Sequence, residues 1–218
     1  MAKPDASLPP VILGVGGGIA AYKAVLVVRA LQERANVYVT MTEAATHLVG
    51  PATFANLTGH PVLTDLWAGS AHGNPIHIDI ADLARVLVIV PTTADLIGKL
   101  ANGIADDALT TLAISVDCPV VLAPSMNTRM YQHPIVQDNL AKLRRFGYAI
   151  VEPGAGWLAC GHVGQGRLAE EGEIVAAIDA ALAGQIPAPA APVEAKPAAA
   201  GRPKETPSVR SDSAARTN

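Results

Sequence analysis

Apolar residues in this chain gather into two kinds of stretch that alternate along it. Short runs at 11–15, 36–41, 86–90, 119–123 and 148–151 are mostly apolar and have the length of strands buried on both faces. Between them apolar residues recur at helical spacing, most clearly over 19–34, where Ala20, Ala24, Val27, Val28 and Leu31 share a face. Helices are also predicted at 43–49, 53–57, 78–84, 96–100, 134–146 and 173–182, with 107–114 either continuing or restarting the one before it. Pro91 is expected to stop the third strand, and 64–77 and 153–167 read as loops. Strands alternating with helices in this way predict an α/β fold: a Rossmann-like, doubly wound, mainly parallel sheet with helices on both faces, in a single domain.

Composition sets the limits of that domain. Half of the 218 residues are hydrophobic, enough for a sizeable core. After Gly184 the chain turns to Ala, Pro, Ser and charged residues and loses its large apolar side chains, so it cannot offset the entropy of ordering. The expected division is a flexible N-terminus at 1–10, a folded domain at 11–183 and a disordered Ala/Pro-rich tail at 184–218. The formal charge is −3 and the tail carries +2 of it, which leaves about −5 on the rest. That balance implies no nucleic-acid partner and no attraction to an anionic membrane. Residues 1–10 do not resemble a signal peptide, and the run at 86–90 is far too short to span a bilayer. Two cysteines, Cys118 and Cys160, make no disulfide framework, so a reduced, cytoplasmic location is expected. Cys118, at a strand start, reads as inert core.

Candidate chemistry collects at strand ends. The stretch Ala123-Pro124-Ser125-Met126-Asn127-Thr128-Arg129-Met130-Tyr131 leaves the fourth strand with an amide and two thioethers, a poor choice for packing alone. Ligands of open α/β sheets bind outside the carboxyl ends of the strands, which makes this loop the candidate reaction centre. Earlier, Gly14-Val15-Gly16-Gly17-Gly18 joins the first strand to the first helix. Such a turn can cradle a phosphate on helix N–H groups, although a tight connection alone would account for it. Met41-Thr42 ends the second strand without the acidic residue of a dinucleotide site, so a single phosphate, as in FMN, fits better. Thr42, Thr92 and Thr93 are candidate hydroxyl donors to it. His77 taken alone reads as a surface or structural histidine, and no histidine pair has metal-ligand spacing, so no metal is expected. The segment 154–167 carries five glycines with Trp157, Cys160 and Arg167, which suits a loop that opens and closes over a ligand.

Three stretches share the order and spacing of one family: Gly16-Gly17-Gly18-Ile19-Ala20-Ala21-Tyr22-Lys23, Pro124-Ser125-Met126-Asn127-Thr128-Arg129-Met130-Tyr131 and Ala159-Cys160-Gly161-His162-Val163-Gly164-Gln165-Gly166-Arg167. Through them the chain resembles the homo-oligomeric flavin-containing cysteine decarboxylases, over nearly all of 11–183. The resemblance implies an FMN-dependent lyase. His77 falls on the family's catalytic histidine and Cys160 on the cysteine that donates a proton late in the reaction. Asn127 falls on the asparagine that binds the substrate carboxylate, and Trp157, Leu158 and Ala159 on the substrate clamp. Met130 joins the substrate-binding set, though packing explains it and Met126 better than chemistry does. Flavin contacts map to Gly16, Gly17, Gly18, Thr42, Glu43, Ala44, Thr93, Ala94, Asp95, Leu96 and Ser125. A trimer or an assembly of trimers is implied, with His77 and the clamp brought to the loop from a neighbouring subunit as one arrangement. The chain departs from the family at Gly16, where serine is usual, and at Asp95, where asparagine is common.

These residue types suit the chemistry. Loss of carbon dioxide from a cysteine leaves a carbanion, which oxidation of the thiol to a thioaldehyde stabilises, with FMN as the acceptor. A histidine can take the thiol proton, and an asparagine can hold the carboxylate without stabilising its charge as an arginine would. If Cys160 protonates the enethiolate, reduced FMN can return the hydride and the net reaction is redox-neutral, as expected for phosphopantothenoylcysteine in coenzyme A biosynthesis. Without that proton an enethiol leaves, as for a ribosomal peptide ending in cysteine. Lys99, Arg129 and Arg167 are candidates for holding the remote phosphate. A flavin-binding regulatory subunit without turnover is a third reading, opposed by His77, Asn127 and Cys160 standing together.

Overall fold

The computed structural model describes residues 5–67, 75–157, 161 and 163–189. Strands β1 (Pro10–Val15), β2 (Asn36–Met41), β3 (Val86–Thr92), β4 (Val120–Pro124) and β5 (Ala149–Ile150) form one sheet in the order β2-β1-β3-β4-β5. Every pairing in it is parallel, so the sheet expected to be mainly parallel is wholly so. The crossovers carry the main helices: α1 (Ala21–Leu31), α3 (Pro51–Thr58), α4 (Ile76–Leu83), α5 (Ala94–Ala101), α6 (Ala108–Ser115) and α8 (Pro134–Arg145), with one-turn α2 (Glu43–Thr46) and α7 (Thr128–Tyr131) at strand exits. The closing helix is α9 (Glu171–Leu182).

Period-two alternation along the strands divides the core in two. Val11, Leu13 and Val15 of β1, with Val86, Val88 and Val90 of β3, face α1, α3 and α9. Ile12, Leu87, Ile89 and Leu122 face the opposite layer of α4, α5, α6 and α8. Gly14 lies on that second face, where a Cβ would stand 2.4 Å from Leu109 Cδ1, so the missing side chain is what lets α6 settle on the sheet.

The structure corrects several expectations. β3 does not stop at Pro91 but runs to Thr92, with a register irregularity between Ile89 and Thr92 that accommodates a residue unable to donate to the ladder. β1 begins at Pro10, inside the segment expected to be flexible, because Asn36 N–H donates to Pro9 O and extends the pairing with β2. Of the two readings left open for 107–114 the restart holds: α5 and α6 are separate helices, the chain turns through Gly103 at φ 66°, and Asp107 then caps α6 in a reciprocal capping box with Thr110. α4 starts at Ile76, so it includes His77. The expected loop at 153–167 contains an antiparallel hairpin, β6 (Gly154–Trp157) and β7 (Val163–Arg167). Its glycine-rich pattern hid the alternation on which strand prediction depends. Expectations placed on 68–74, 158–160, 162 and 190–218 lie outside the described residues.

Candidate functional site

Four strands end on one cleft of about 1360 Å³. Gly17 and Gly18 follow β1, Thr42, Glu43 and Ala44 follow β2, Thr93 to Leu96 follow β3, and Ser125 to Asn127 follow β4; all line it. The chain reverses its winding direction between β1 and β3, the switch point at which open α/β sheets bind ligands. Met130 and Trp157 also line the cleft, Trp157 from the end of β6 with 73% of its surface exposed.

The glycine turn owes its composition to close approach. A Cβ on Gly17 would stand 2.3 Å from Ala44 Cβ, and one on Gly16 2.4 Å from Pro91 O. Gly16 does not line the cleft. Its N–H donates to Pro91 O at 3.2 Å, so it joins the ends of β1 and β3 rather than meeting a ligand. The serine usual in the resembling family would clash there on this backbone. α1 begins with no side-chain cap; Ala21 N–H donates to Gly18 O and Lys23 N–H to Ala20 O, and Gly17, Gly18, Ile19 and Ala20 line the cleft wall at the positive end of the helix, a setting suited to an anion.

The three threonines divide their roles. Thr92 is fully buried. Its hydroxyl donates to Ile89 O at 2.8 Å and accepts from Ala123 N–H at 3.1 Å, so it ties β3 to β4 and is not available to a ligand. Thr42 and Thr93 line the cleft, but each accepts a helix-capping bond, from Ala45 N–H and Leu96 N–H.

Asn127 caps α7: its Oδ1 accepts from Arg129 N–H at 2.8 Å. The cap fixes the side chain at the cleft wall, and an amide's Nδ2 is the donor type that a carboxylate requires. The hairpin docks on this loop through backbone. Met126 N–H donates to Gly166 O at 2.9 Å, and Cβ atoms on Gly164 and Gly166 would stand 2.4 Å from Thr128 Oγ1 and 2.3 Å from Met126 O.

Charges along the rim are organised around Lys99. Its Nζ lies 3.1 Å from Asp106, 3.3 Å from Asp95 and 3.9 Å from Asp107. Burial pulls the ammonium pKa down, but the hydrogen bonds and charges of Asp106 and Asp95 outweigh it and hold the pKa above its ordinary value. The departure at Asp95 is therefore one arm of an ion cluster. Of the three cations considered for a phosphate, Lys99 is committed to carboxylates, Arg129 does not line the cleft, and Arg167 lines it while paired with Glu170 at 3.0 Å. Sequence reading missed Lys23, which lines the cleft and has no ion pair among the described residues. Its place one turn into the helix after the glycines was the available signal.

His77 is not brought to the cleft within one chain. It lies in the first turn of α4, and its Nδ1 is buried without a hydrogen-bond partner among the described residues. Leu158, Ala159 and Cys160 lie outside the described residues. Cys118 is buried, and burial pushes its thiol up to about 11, in keeping with an inert core residue. The described residues contain no cluster able to hold a metal and no helix long and apolar enough to cross a membrane.

The comparisons agree with this geometry. The coenzyme A biosynthesis bifunctional protein CoaBC of Bacillus subtilis (strain 168) is 47% identical over 180 residues, which cover 82% of this chain and 44% of that protein. The chain thus spans less than half the length of the curated relatives it matches. Among solved structures, the FMN-dependent cysteine decarboxylase SpaF superposes with a TM-score of 0.71 at 35% identity, covering 80% of this chain and 95% of that one. A cysteine-to-serine variant of PPC decarboxylase complexed with pantothenoylaminoethenethiol gives 0.72 at 29% identity, over 79% and 97% of the two chains. The family model described as Flavoprotein matches residues 3–183, and on this match, with the relatives' identity and the site at the sheet's switch point, the chain belongs to the Flavoprotein family.

Proposed function

We propose that this protein binds FMN at the β1–β3 switch point and decarboxylates a cysteine-derived carboxylate, with phosphopantothenoylcysteine as substrate and phosphopantetheine as product. The observation that carries the reading is Asn127. Its side chain is fixed by the α7 cap and lines the same cleft as the glycine turn, where an amide can hold a carboxylate without neutralising its charge. The residues present fit FMN. The cleft exceeds the roughly 300–1000 Å³ of an ordinary small-molecule site, leaving room for cofactor and substrate together. Gly17 and Gly18 line the cleft ahead of α1, and Lys23, with no ion pair among the described residues, lines it beside them, which suits the phosphate.

FMN, when bound, would supply the two-electron acceptor for oxidation at the thiol-bearing β-carbon, which lets the carboxylate leave the neighbouring α-carbon as carbon dioxide. His77 takes the proton from the substrate sulfur. Asn127 holds the carboxylate by Nδ2, and Trp157 covers the substrate from water. Cys160 returns a proton to carbon, and the product leaves without net oxidation once the hydride taken up by FMN is given back to the same molecule. His77 reaches the cleft from a neighbouring copy. Ile19, just before α1, and Tyr22 and Leu26 on it are 66%, 57% and 45% exposed, with Ile19 and Tyr22 at the cleft, while Ile78 and Leu83 are exposed on the His77 helix. A trimer, or an assembly of trimers, covers both surfaces. The similarity to SpaF supports a second reading, oxidative decarboxylation of a peptide ending in cysteine.

Mass spectrometry after mixing the FMN-loaded protein with phosphopantothenoylcysteine separates the readings. Loss of carbon dioxide alone is expected. Loss accompanied by two hydrogens would favour the oxidative reaction, and no change with either substrate would overturn both. For the cofactor site, Gly17→Ala forces Ala44 to move. Overpacking of this kind costs about 1–3 kcal/mol, so FMN affinity should fall about 10–100-fold by fluorescence titration; unchanged affinity would remove the turn from the FMN site.

A further inference from the structure

The reading of Asn127 leaves open what holds its loop. α7 is a single turn, and a helix that short has no stability of its own. It is fixed at its far end by Tyr131, which is 5% exposed and packs among Leu140 and Leu143 of α8. A phenylalanine would fill that space equally well, so the hydroxyl needs a separate reason. It donates to Glu152 Oε2 at 2.8 Å, while Arg144, on α8, binds the other oxygen of the same carboxylate. Burial, and then the Glu152 carboxylate, raise the Tyr131 pKa, so the phenol remains a donor across the neutral range.

Glu152 is joined through Pro153 to β6, which ends at Trp157 in the cleft. The hairpin therefore grips the Asn127 loop at two points. β7 holds Met126 through Gly166 O, and the root of β6 holds Tyr131 through Glu152. Asn127 lies between them. Gln137 Nε2 adds a bond to Tyr131 O, which closes the turn against α8.

We propose that Tyr131 is a positioning residue for Asn127: its hydrogen bond to Glu152 keeps the carboxylate-binding loop in register with the hairpin that carries Trp157. The inference rests on the reading of Asn127 given above. It is tested in the FMN-loaded protein with Tyr131→Phe, Glu152→Gln, Glu152→Ala and the Tyr131→Phe/Glu152→Ala double variant. Amide hydrogen exchange over 125–131 and 154–157, FMN content, and kcat and KM for the cysteine substrate are the readouts.

Tyr131→Phe should speed exchange in both segments about tenfold and lower kcat/KM about tenfold, mainly through KM, with FMN content unchanged. Glu152→Gln keeps an acceptor for the phenol and should stay within about threefold of the parent protein in both readouts. The double variant should be no worse than Glu152→Ala, because both changes break one bond. Exchange at 154–157 left unchanged by Tyr131→Phe, or additive losses in the double variant, would overturn the proposal. If the parent protein turns over neither cysteine substrate, the functional reading fails, and the exchange data still decide whether Tyr131 couples loop to hairpin.

Discussion

Replacing His77 by Asn lowers the rate of decarboxylation by about 10²–10⁴-fold and leaves FMN bound, as expected when a general base is lost and the cofactor site is untouched. The expectation rests on where the imidazole stands. Its Nδ1 is buried and has no hydrogen-bond partner among the described residues, so the fold does not use this nitrogen for itself. His77 is also not among the residues of the glycine turn and strand exits that line the cleft, so the change leaves the proposed FMN-holding residues in place. Stopped-flow absorbance of the flavin on mixing with substrate checks this. A variant reduced at the parent rate would remove His77 from the chemistry.

Asn127→Asp should cost about 10³-fold in kcat/KM, because like charges brought together at a binding site cost several kcal/mol. Aspartate is as good a helix N-cap as asparagine, so α7 keeps its cap and the change isolates the charge. Carbon dioxide release gives the activity and thermal unfolding reports the fold. A normal rate would show that this amide does not hold the carboxylate, and a large fall in Tm would point to a structural cause. Subunit mixing joins the two predictions. If His77 serves a neighbour's cleft, refolding His77→Asn together with Asn127→Asp rebuilds some intact sites and restores part of the activity. No recovery at any ratio would place both residues at the same chain's site.

Most of the parallel sheet could be read from the sequence because continuous runs such as 86–90 have few alternatives, and the strand exits followed directly from them. The hairpin could not be read. Gly154, Gly156, Gly164 and Gly166 interrupt its side-chain alternation, and what fixes it is contact with Thr128 and Met126, far away in sequence. Thr92 shows the same limit from the other side. Its position at a strand end made it a candidate ligand, while its hydroxyl is consumed by Ile89 and Ala123, a partnership that exists only once β3 and β4 are paired. Asp95 had no account in one dimension, and the turn through Gly103 supplies it by returning Asp106 and Asp107 to Lys99.

The docking of the hairpin through glycines and main chain bears on how such a site can change over generations. Ala155, Val163 and Gln165 are exposed and take no part in the bond between Met126 and Gly166, whereas Gly164 and Gly166 have no room for a side chain. Drift is therefore unconstrained at the first three positions and closed at the last two. New side chains can be tried at the exposed positions of the hairpin while the attachment beneath them stays fixed, without the fold having to be rebuilt.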